Sequence, residues 1–321
     1  ESVPTDGRLS LELIDGPEGL MSGLAQSPRW FGQSNWLTTG LYNDSALIDA
    51  QTAAIVSQPG RPYQTESVKK ALIEIGLDKD TAGSLAQSDP VLPTNNRVAV
   101  FSEAGYSAIY FIEDADPALP KAMLIGNPDG SADLFHFNDQ ENRVAFCTKK
   151  GLHFLDLDSR EITTVASEDE KQLIGKLDWV YQEELYGRGN FKGYWWQSNG
   201  DQVAFLKLDE TPLFPFTVMD HMPVRGKSEM TNYPKAGDPN PIVTVGVVAS
   251  ADPGVPTWID LSNYGEDQIL ISGVSWSSDG KQLLIQVQNR EQTWLDLIVV
   301  NSDGSRPHRL FRDETPAWIE S

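Results

Sequence analysis

The sequence predicts an all-β fold, a β-propeller of four-stranded antiparallel blades with about five blades present and the set incomplete. Three observations carry this. Short runs rich in Val, Ile, Phe and Leu recur between Gly, Asn, Asp and Pro, the pattern of strands joined by turns rather than of strands alternating with helices. Two stretches repeat one unit of aromatic residue, polar turn with Gly, then apolar strand: Trp196-Gln197-Ser198-Asn199-Gly200-Asp201-Gln202-Val203-Ala204-Phe205 and Trp276-Ser277-Ser278-Asp279-Gly280-Lys281-Gln282-Leu283-Leu284-Ile285. Weaker copies lie at Phe137 to Phe146 and Leu92 to Val100, with a further one from Trp30. In this unit the aromatic ends one strand at a packed interface, the turn takes positive φ, and the next strand enters the sheet. Intervals of roughly 45 to 80 residues suit blades of about 40 to 50 residues carrying insertions. A large β-sandwich with coincidental turns is the competing architecture.

In chain order, Glu66 to Leu77 reads as a helix with Thr65 as N-cap, Lys69 and Lys70 outward, and Ala71, Leu72, Ile75 and Leu77 on one face. Asp80 to Gln87 adds a second turn, making a peripheral helical insertion over residues 65–88. Strands are expected at Arg97 to Ser102, Ser107 to Glu113, Arg143 to Thr148, Leu152 to Asp156, Gln202 to Asp209, Ile242 to Ala249, Gln282 to Gln288 and Trp294 to Asn301. Between them, Asp178 to Gly193 is too broken by Gly187, Gly189 and Gly193 for a regular central strand. It is expected to leave its blade as an arm or short helix over residues 178–193, within one partial propeller spanning 1–321.

The chain has 321 residues, 40% of them hydrophobic, enough for a large core. Its 46 acidic and 25 basic residues give a formal charge of −21, which argues against nucleic acid or an anionic membrane as partner and favours cationic ligands. The single cysteine, Cys147, excludes an internal disulfide and sits in an apolar run, where a buried structural thiol is expected. No apolar stretch approaches the roughly 18 residues needed to cross a bilayer. The first residue is Glu rather than Met, so a processed or trimmed start is expected, with any signal peptide no longer visible.

Catalytic signatures are missing. There is no Gly-x-Ser-x-Gly elbow, no glycine-rich phosphate loop and no His-Glu-x-x-His. His136, His153, His221 and His308 are scattered, and His153, in a strand pattern, is expected to be a hydrogen-bonded structural histidine. Neither a metal nor any cofactor is expected, and no catalytic residue is assigned. Asn127 to Gly130 and Asn301 to Gly304 read as hairpin turns rather than calcium loops. Asn43-Asp44-Ser45 matches the glycosylation acceptor pattern without other support.

The remaining chemical candidate is the pair Glu183 and Glu184 in Asp178-Trp179-Val180-Tyr181-Gln182-Glu183-Glu184. On an extended strand the two carboxylates would face opposite ways, so both reach one ligand only from a helical or turn-like backbone. Two ionised carboxylates held close raise one another's pKa, and a protonated amine with three donors removes that cost. An α-amino group, with a pKa of about 8, is such a ligand at neutral pH. Tyr181, Arg188 and Trp179 are the expected supporting residues around the pair.

Asp178 to Glu184, then Trp195-Trp196-Gln197-Ser198, then Tyr233-Pro234-Lys235-Ala236-Gly237-Asp238-Pro239-Asn240-Pro241 and the closing Glu314-Thr315-Pro316-Ala317-Trp318-Ile319, resemble the N-terminal β-propeller of dipeptidyl peptidase IV and its prolyl-oligopeptidase-type relatives. The likeness is clear from about Val98 onward. It implies an exopeptidase that releases Xaa-Pro or Xaa-Ala dipeptides, with Glu183 and Glu184 holding the substrate's free amino terminus at a fixed distance from a nucleophile. The Ser, Asp and His of such an enzyme belong to a following α/β-hydrolase domain, which these residues do not contain. Gln182 stands where the family usually has Glu. The family's carbonyl-binding Arg falls near Glu103 when Tyr106 and Tyr110 are aligned on the family's tyrosines, and Glu cannot donate to a carbonyl. Either another basic residue such as Arg188 takes that role, or this protein handles the peptide differently.

These residues lead to an expected fragment, inactive alone, that gates access to its own hydrolase domain. Open blade edges favour pairing into a homodimer, and family habit favours a periplasmic or secreted location over a cytoplasmic one. The alternative from another class is a stand-alone propeller used as a protein or peptide interaction module. A complete enzyme with an unrecognised site is the third.

Overall fold

The computed structural model describes residues 61–112, 119–198, 202–265 and 269–319, and, ahead of them, the backbone of strands Arg29–Trp30, Trp36–Thr39, Ala46–Asp49 and Ile55–Ser57. The acceptor Asn43-Asp44-Ser45, the turn Asn199-Gly200-Asp201 and the Trp30 side chain lie outside the described residues. The chain divides into two compact units, Glu1–Glu103 with Ala108–Met123, and Ala104–Ser107 with Leu124–Ser321.

In the first unit the four early strands pair antiparallel in sequence order. Helices α1 (Thr65–Glu74) and α2 (Lys79–Gln87) follow. Thr65 is the first helical residue rather than the cap: Gln64 takes the cap position and makes no side-chain cap bond. The helix also ends three residues before Leu77, at Glu74, with Gly76 at φ +101° beyond it. Its buried face is accordingly Val68, Ala71 and Leu72, while Ile75 and Leu77 are only half-buried. Lys69 is half-buried too, its stem lying over Gly83 of α2 instead of pointing outward. The start of α2 is better specified, because Asp78 accepts from the N–H groups of Asp80 and Thr81 at 3.0 Å. Strand Val98–Glu103 buries Val98 through Phe101 beside α2 and pairs with Tyr106–Phe111, which pairs with Ala122–Gly126.

The second unit holds three blades. The first runs Asp133–Phe137, Arg143–Thr148, Gly151–Asp156, Ile162–Ala166 in sequence order. The last runs Ile269–Trp276, Gln282–Asn289, Trp294–Asn301, His308–Glu314. In the middle blade the opening strand is split: Gln172–Ile174 and Tyr194–Trp196 both pair with one edge of Gln202–Asp209, which then pairs with Ile242–Ala249 and, through it, Thr257–Trp258. A separate hairpin, Pro215–Asp220 with Lys227–Asn232, projects between the second and third of these strands.

The repeated unit has a shared geometry. The indole N–H of Trp196 donates to the His136 carbonyl at 3.0 Å, and that of Trp276 to the Trp195 carbonyl at 3.0 Å, so each aromatic ties its blade to the preceding one at an equivalent place. Four residues after the aromatic position, Gly280 has φ +67°, Glu141 +53° and Asn96 +55°. Each donates its N–H to the carbonyl three residues back, at 2.8, 2.9 and 3.2 Å. One turn is thus built with three residue types, only one of which is free of a left-handed penalty. Gly280→Ala should cost about 1–2 kcal/mol in a urea melt, since its Cβ would also lie 3.2 Å from Gln197 Cγ. Gly130→Ala, where a Cβ meets open space and φ is not positive, is expected to stay within about 0.5 kcal/mol.

Cys147 is fully buried with Sγ 3.3 Å from the Gly175 carbonyl, and burial pushes its thiol pKa up, as a structural thiol requires. His153 sits between the hydroxyls of Thr148 and Thr164 at 2.8 and 2.9 Å, and burial lowers its pKa to about 4. Asn127 to Gly130 and Asn301 to Gly304 are hydrogen-bonded turns. Among the described residues no cluster of His, Cys, Asp and Glu could hold a metal, and no helix is long and apolar enough to cross a membrane.

Candidate functional site

The split opening strand of the middle blade positions the site. The chain leaves the sheet at Gly175 and returns at Gly193. A narrow neck joins these points, with Gly193 N–H to Gly175 O and Leu177 N–H to Phe191 O at 2.9 and 2.8 Å. Everything between is an excursion from an otherwise continuous edge, and glycines are needed there: a Cβ on Gly193 would lie 2.9 Å from Leu177 Cδ2.

Beyond the neck the backbone turns helical from Trp179 and is π-wound over Tyr181–Leu185, with Tyr186 N–H closing onto the Tyr181 carbonyl at 2.9 Å. Asp178 starts this turn. Its Oδ1 accepts from Tyr181 N–H at 2.9 Å and its carbonyl from Gln182 N–H at 3.1 Å. The helical winding puts Glu183 and Glu184 on one turn instead of on opposite faces of a strand.

The two carboxylates differ in their surroundings. Glu183 keeps only 14% of its side chain exposed, and its Oε1 accepts from Arg188 Nε at 2.6 Å and from Arg188 Nη2. Glu184 is exposed and makes no ion pair or hydrogen bond with a described residue. Arg188 stands on a turn between Gly187 and Gly189, at φ +92° and +84°. Gln182, buried beside the pair, accepts from Gly189 N–H at 2.7 Å and leans its amide nitrogen toward Glu183 Oε2 at 3.5 Å.

Tyr181 points down, not out. It is fully buried, packs with Leu177, Leu206, Val245, Ile271 and Ile285, and its hydroxyl accepts from Ile271 N–H at 3.4 Å. Burial raises its pKa and that of Tyr186, whose ring stacks on Tyr181 at 6.3 Å and tilts against Trp195 at 5.8 Å. Trp179 is exposed and meets Tyr233 edge-on at 4.6 Å, and Tyr233 meets Phe216 at 5.7 Å. Two of the sequence runs singled out above, separated by half a hundred residues of chain, therefore touch. Glu103 is exposed at the end of its strand.

Two residues of the arm were not assigned a role from sequence. Asp178 is buried with Oδ2 unpartnered, and burial together with nearby Glu210 raises its pKa to about 6. An Asp directly ahead of the apolar, aromatic run Trp179-Val180-Tyr181 is an N-cap signal that could have identified it. Gln182 carries no such signal, because its partner, the Gly189 N–H, is fixed only by the return of the turn.

The family described as "Dipeptidyl peptidase IV (DPP IV) N-terminal region" matches residues 93–321. The chain is similar to the probable dipeptidyl-aminopeptidase B of Penicillium rubens, 30% identical over 253 residues that cover 71% of this chain and 28% of the relative. It is also similar to dipeptidyl-aminopeptidase B of Aspergillus niger, 27% identical over 252 residues, with the same two coverages of 71% and 28%. Among solved structures, the crystal structure of Porphyromonas gingivalis dipeptidyl peptidase 4 superposes with a TM-score of 0.70 at 17% identity, covering 97% of this chain and 43% of that one. The chain thus spans well under half the length of the proteins it matches.

Proposed function

Since the chain belongs to the dipeptidyl peptidase IV N-terminal region family, we propose that it is the substrate-gating region of a serine exopeptidase, binding the free amino terminus of a peptide and presenting it to a catalytic α/β-hydrolase domain. In this reading the parent protein releases Xaa-Pro or Xaa-Ala dipeptides. The observation that carries it is the arm itself: two adjacent carboxylates on a helical turn, one paired to an exposed arginine and the other unengaged by described residues. A peptide ammonium has three donors and can satisfy both. Tyr181 roots the turn in the apolar core, and a fixed anchor for the amino terminus makes an enzyme count residues before it cuts.

The test is a titration of alanyl-proline and N-acetyl-alanyl-proline into the full-length protein. The free amine is expected to bind and the acetylated form to bind far less. Glu183→Gln or Glu184→Gln should each weaken the free form by about 1.5–3 kcal/mol, the range for a hydrogen bond to a charged group. Equal affinities for the two dipeptides would remove the carboxylates from this role.

One observation favours a second reading, a peptide or protein interaction module. The hairpin Pro215–Asp220 with Lys227–Asn232 exposes Val218, Met219, Met222 and Met230, a flexible apolar surface of the sort that partners use. Sequencing the gene beyond Ser321 separates the readings: a Gly-x-Ser-x-Gly segment with later Asp and His supports the peptidase, and a stop without them supports the module.

A further inference from the structure

We propose that Arg188 is an internal competitor for Glu183: its guanidinium engages Oε1 of this carboxylate and weakens the hold that Glu183 can offer a peptide ammonium. The inference rests on the amino-terminus reading above and adds to it a residue that sets the strength of binding.

Four features of the arm point this way. Both Arg188 donors, Nε and Nη2, converge on Oε1 of Glu183, while Oε2 receives only the distant Gln182 amide at 3.5 Å. Glu183 therefore holds a full counter-charge already, and Glu184 does not. Arg188 is also 85% exposed, although Glu183 keeps only 14%, so water screens the guanidinium end of the pair and competes for its donors. Its neighbours Gly187 and Gly189 have positive φ, and a Cβ at either would meet no atom within 4 Å. The space around the turn is open, so the long Arg188 side chain can move off Glu183 without displacing a neighbour. Finally, Gln182 pins the far side of the turn by accepting from Gly189 N–H at 2.7 Å. Asn190 N–H donates to the Gly187 carbonyl at 2.9 Å, so the turn's backbone is held on both sides and what is left to move is the Arg188 side chain.

The amide at Gln182 matters to this arrangement. It accepts from Gly189 while presenting its nitrogen, a donor, toward Glu183. A glutamate there would place a third carboxylate beside the pair and strengthen the hold of Arg188 and of any ammonium alike. With an amide, one internal cation neutralises one of the two carboxylates, and an incoming ammonium gains Glu184 outright but shares Glu183 with Arg188.

The sign of one substitution tests this. Titrating alanyl-proline into full-length Arg188→Ala and Arg188→Gln proteins should show binding about two- to fivefold tighter than in the native protein, the release of an exposed ion pair, with no gain for N-acetyl-alanyl-proline. Gln182→Ala should move affinity in the same direction by less. If native protein prefers the free amine but the Arg188 variants bind it equally or more weakly, the competitor role is overturned, and weaker binding would mean that Arg188 holds the peptide. If native protein shows no preference for the free amine, the amino-terminus reading itself fails. The two failures are thus distinct.

Discussion

Tyr181→Ala is expected to destabilise the protein by about 3–5 kcal/mol, the cost of emptying a fully buried aromatic site. Tyr181 is among the largest side chains with no exposure, and it belongs to one apolar cluster that draws residues from strands Gln202–Asp209 and Ile242–Ala249 of its own blade and from Ile269–Trp276 and Gln282–Asn289 of the next. Its loss also strips a partner from a buried donor. The strand Ile269–Trp276 shifts register between Ile271 and Gly273, and the Ile271 N–H at this bulge donates to the Tyr181 hydroxyl. Tyr181→Phe keeps the packing and loses only that acceptor, so it should cost about 1 kcal/mol. Because the same residue roots the turn that carries Glu183 and Glu184, the alanine variant should also lose its preference for alanyl-proline over the acetylated form, whereas the phenylalanine variant keeps it. A urea melt and the two titrations check this. An alanine variant as stable as the native protein would show that the arm is not anchored through Tyr181.

What the sequence made legible follows from which strands are buried. Inner strands such as Arg143–Thr148, Gln202–Asp209 and Trp294–Asn301 were expected within these bounds, since their runs of Val, Phe, Leu and Ile are buried. Outer strands were not seen. Lys227–Asn232 and His308–Glu314 are mostly exposed and mostly polar, so nothing in composition separates them from loops. Ile269–Trp276 is buried but carries Ser272 and Gly273 at its bulge, which break the apolar run. At the site, the carboxylate pair could be read from adjacency, and the need for a helical backbone from period alone. The engagement of Arg188 with Glu183 could not, because five residues of a glycine-rich turn place it there. Nor could the meeting of Trp179 with Tyr233, which depends on where the hairpin Pro215–Asp220 with Lys227–Asn232 returns the chain.

Asp178→Asn is expected to stabilise the protein at pH 8 by up to about 3 kcal/mol and to leave it nearly unchanged at pH 4. The carboxyl is buried, its Oδ2 has no partner, and burial, then the charge of Glu210, raises its pKa from 3.8 to about 6. A raised value means that the folded state holds the proton more tightly than the unfolded state. The stability linked to that proton is complete below pH 3.8 and is lost as pH rises through about 6. Above that, the folded protein carries an ion with one satisfied oxygen and one orphan. The charged side chain acting on it has the same tendency: Glu210 is itself half-buried, and burial raises its pKa against the opposing effects of the Asn232 Nδ2 donor at 2.9 Å and of Lys171. Asparagine keeps the Oδ1 that caps the turn at Tyr181 N–H and removes the charge, while Asp178→Ala removes the cap as well and should be less stable than Asp178→Asn by about 1 kcal/mol at either pH. A stability difference between native and Asp178→Asn proteins that stays constant from pH 4 to pH 8 would show that the carboxyl is not the titrating group. The capping oxygen, not the charge, is then what the arm needs from residue 178, and the ion at Asp178 is carried against the stability of the turn that presents Glu183 and Glu184.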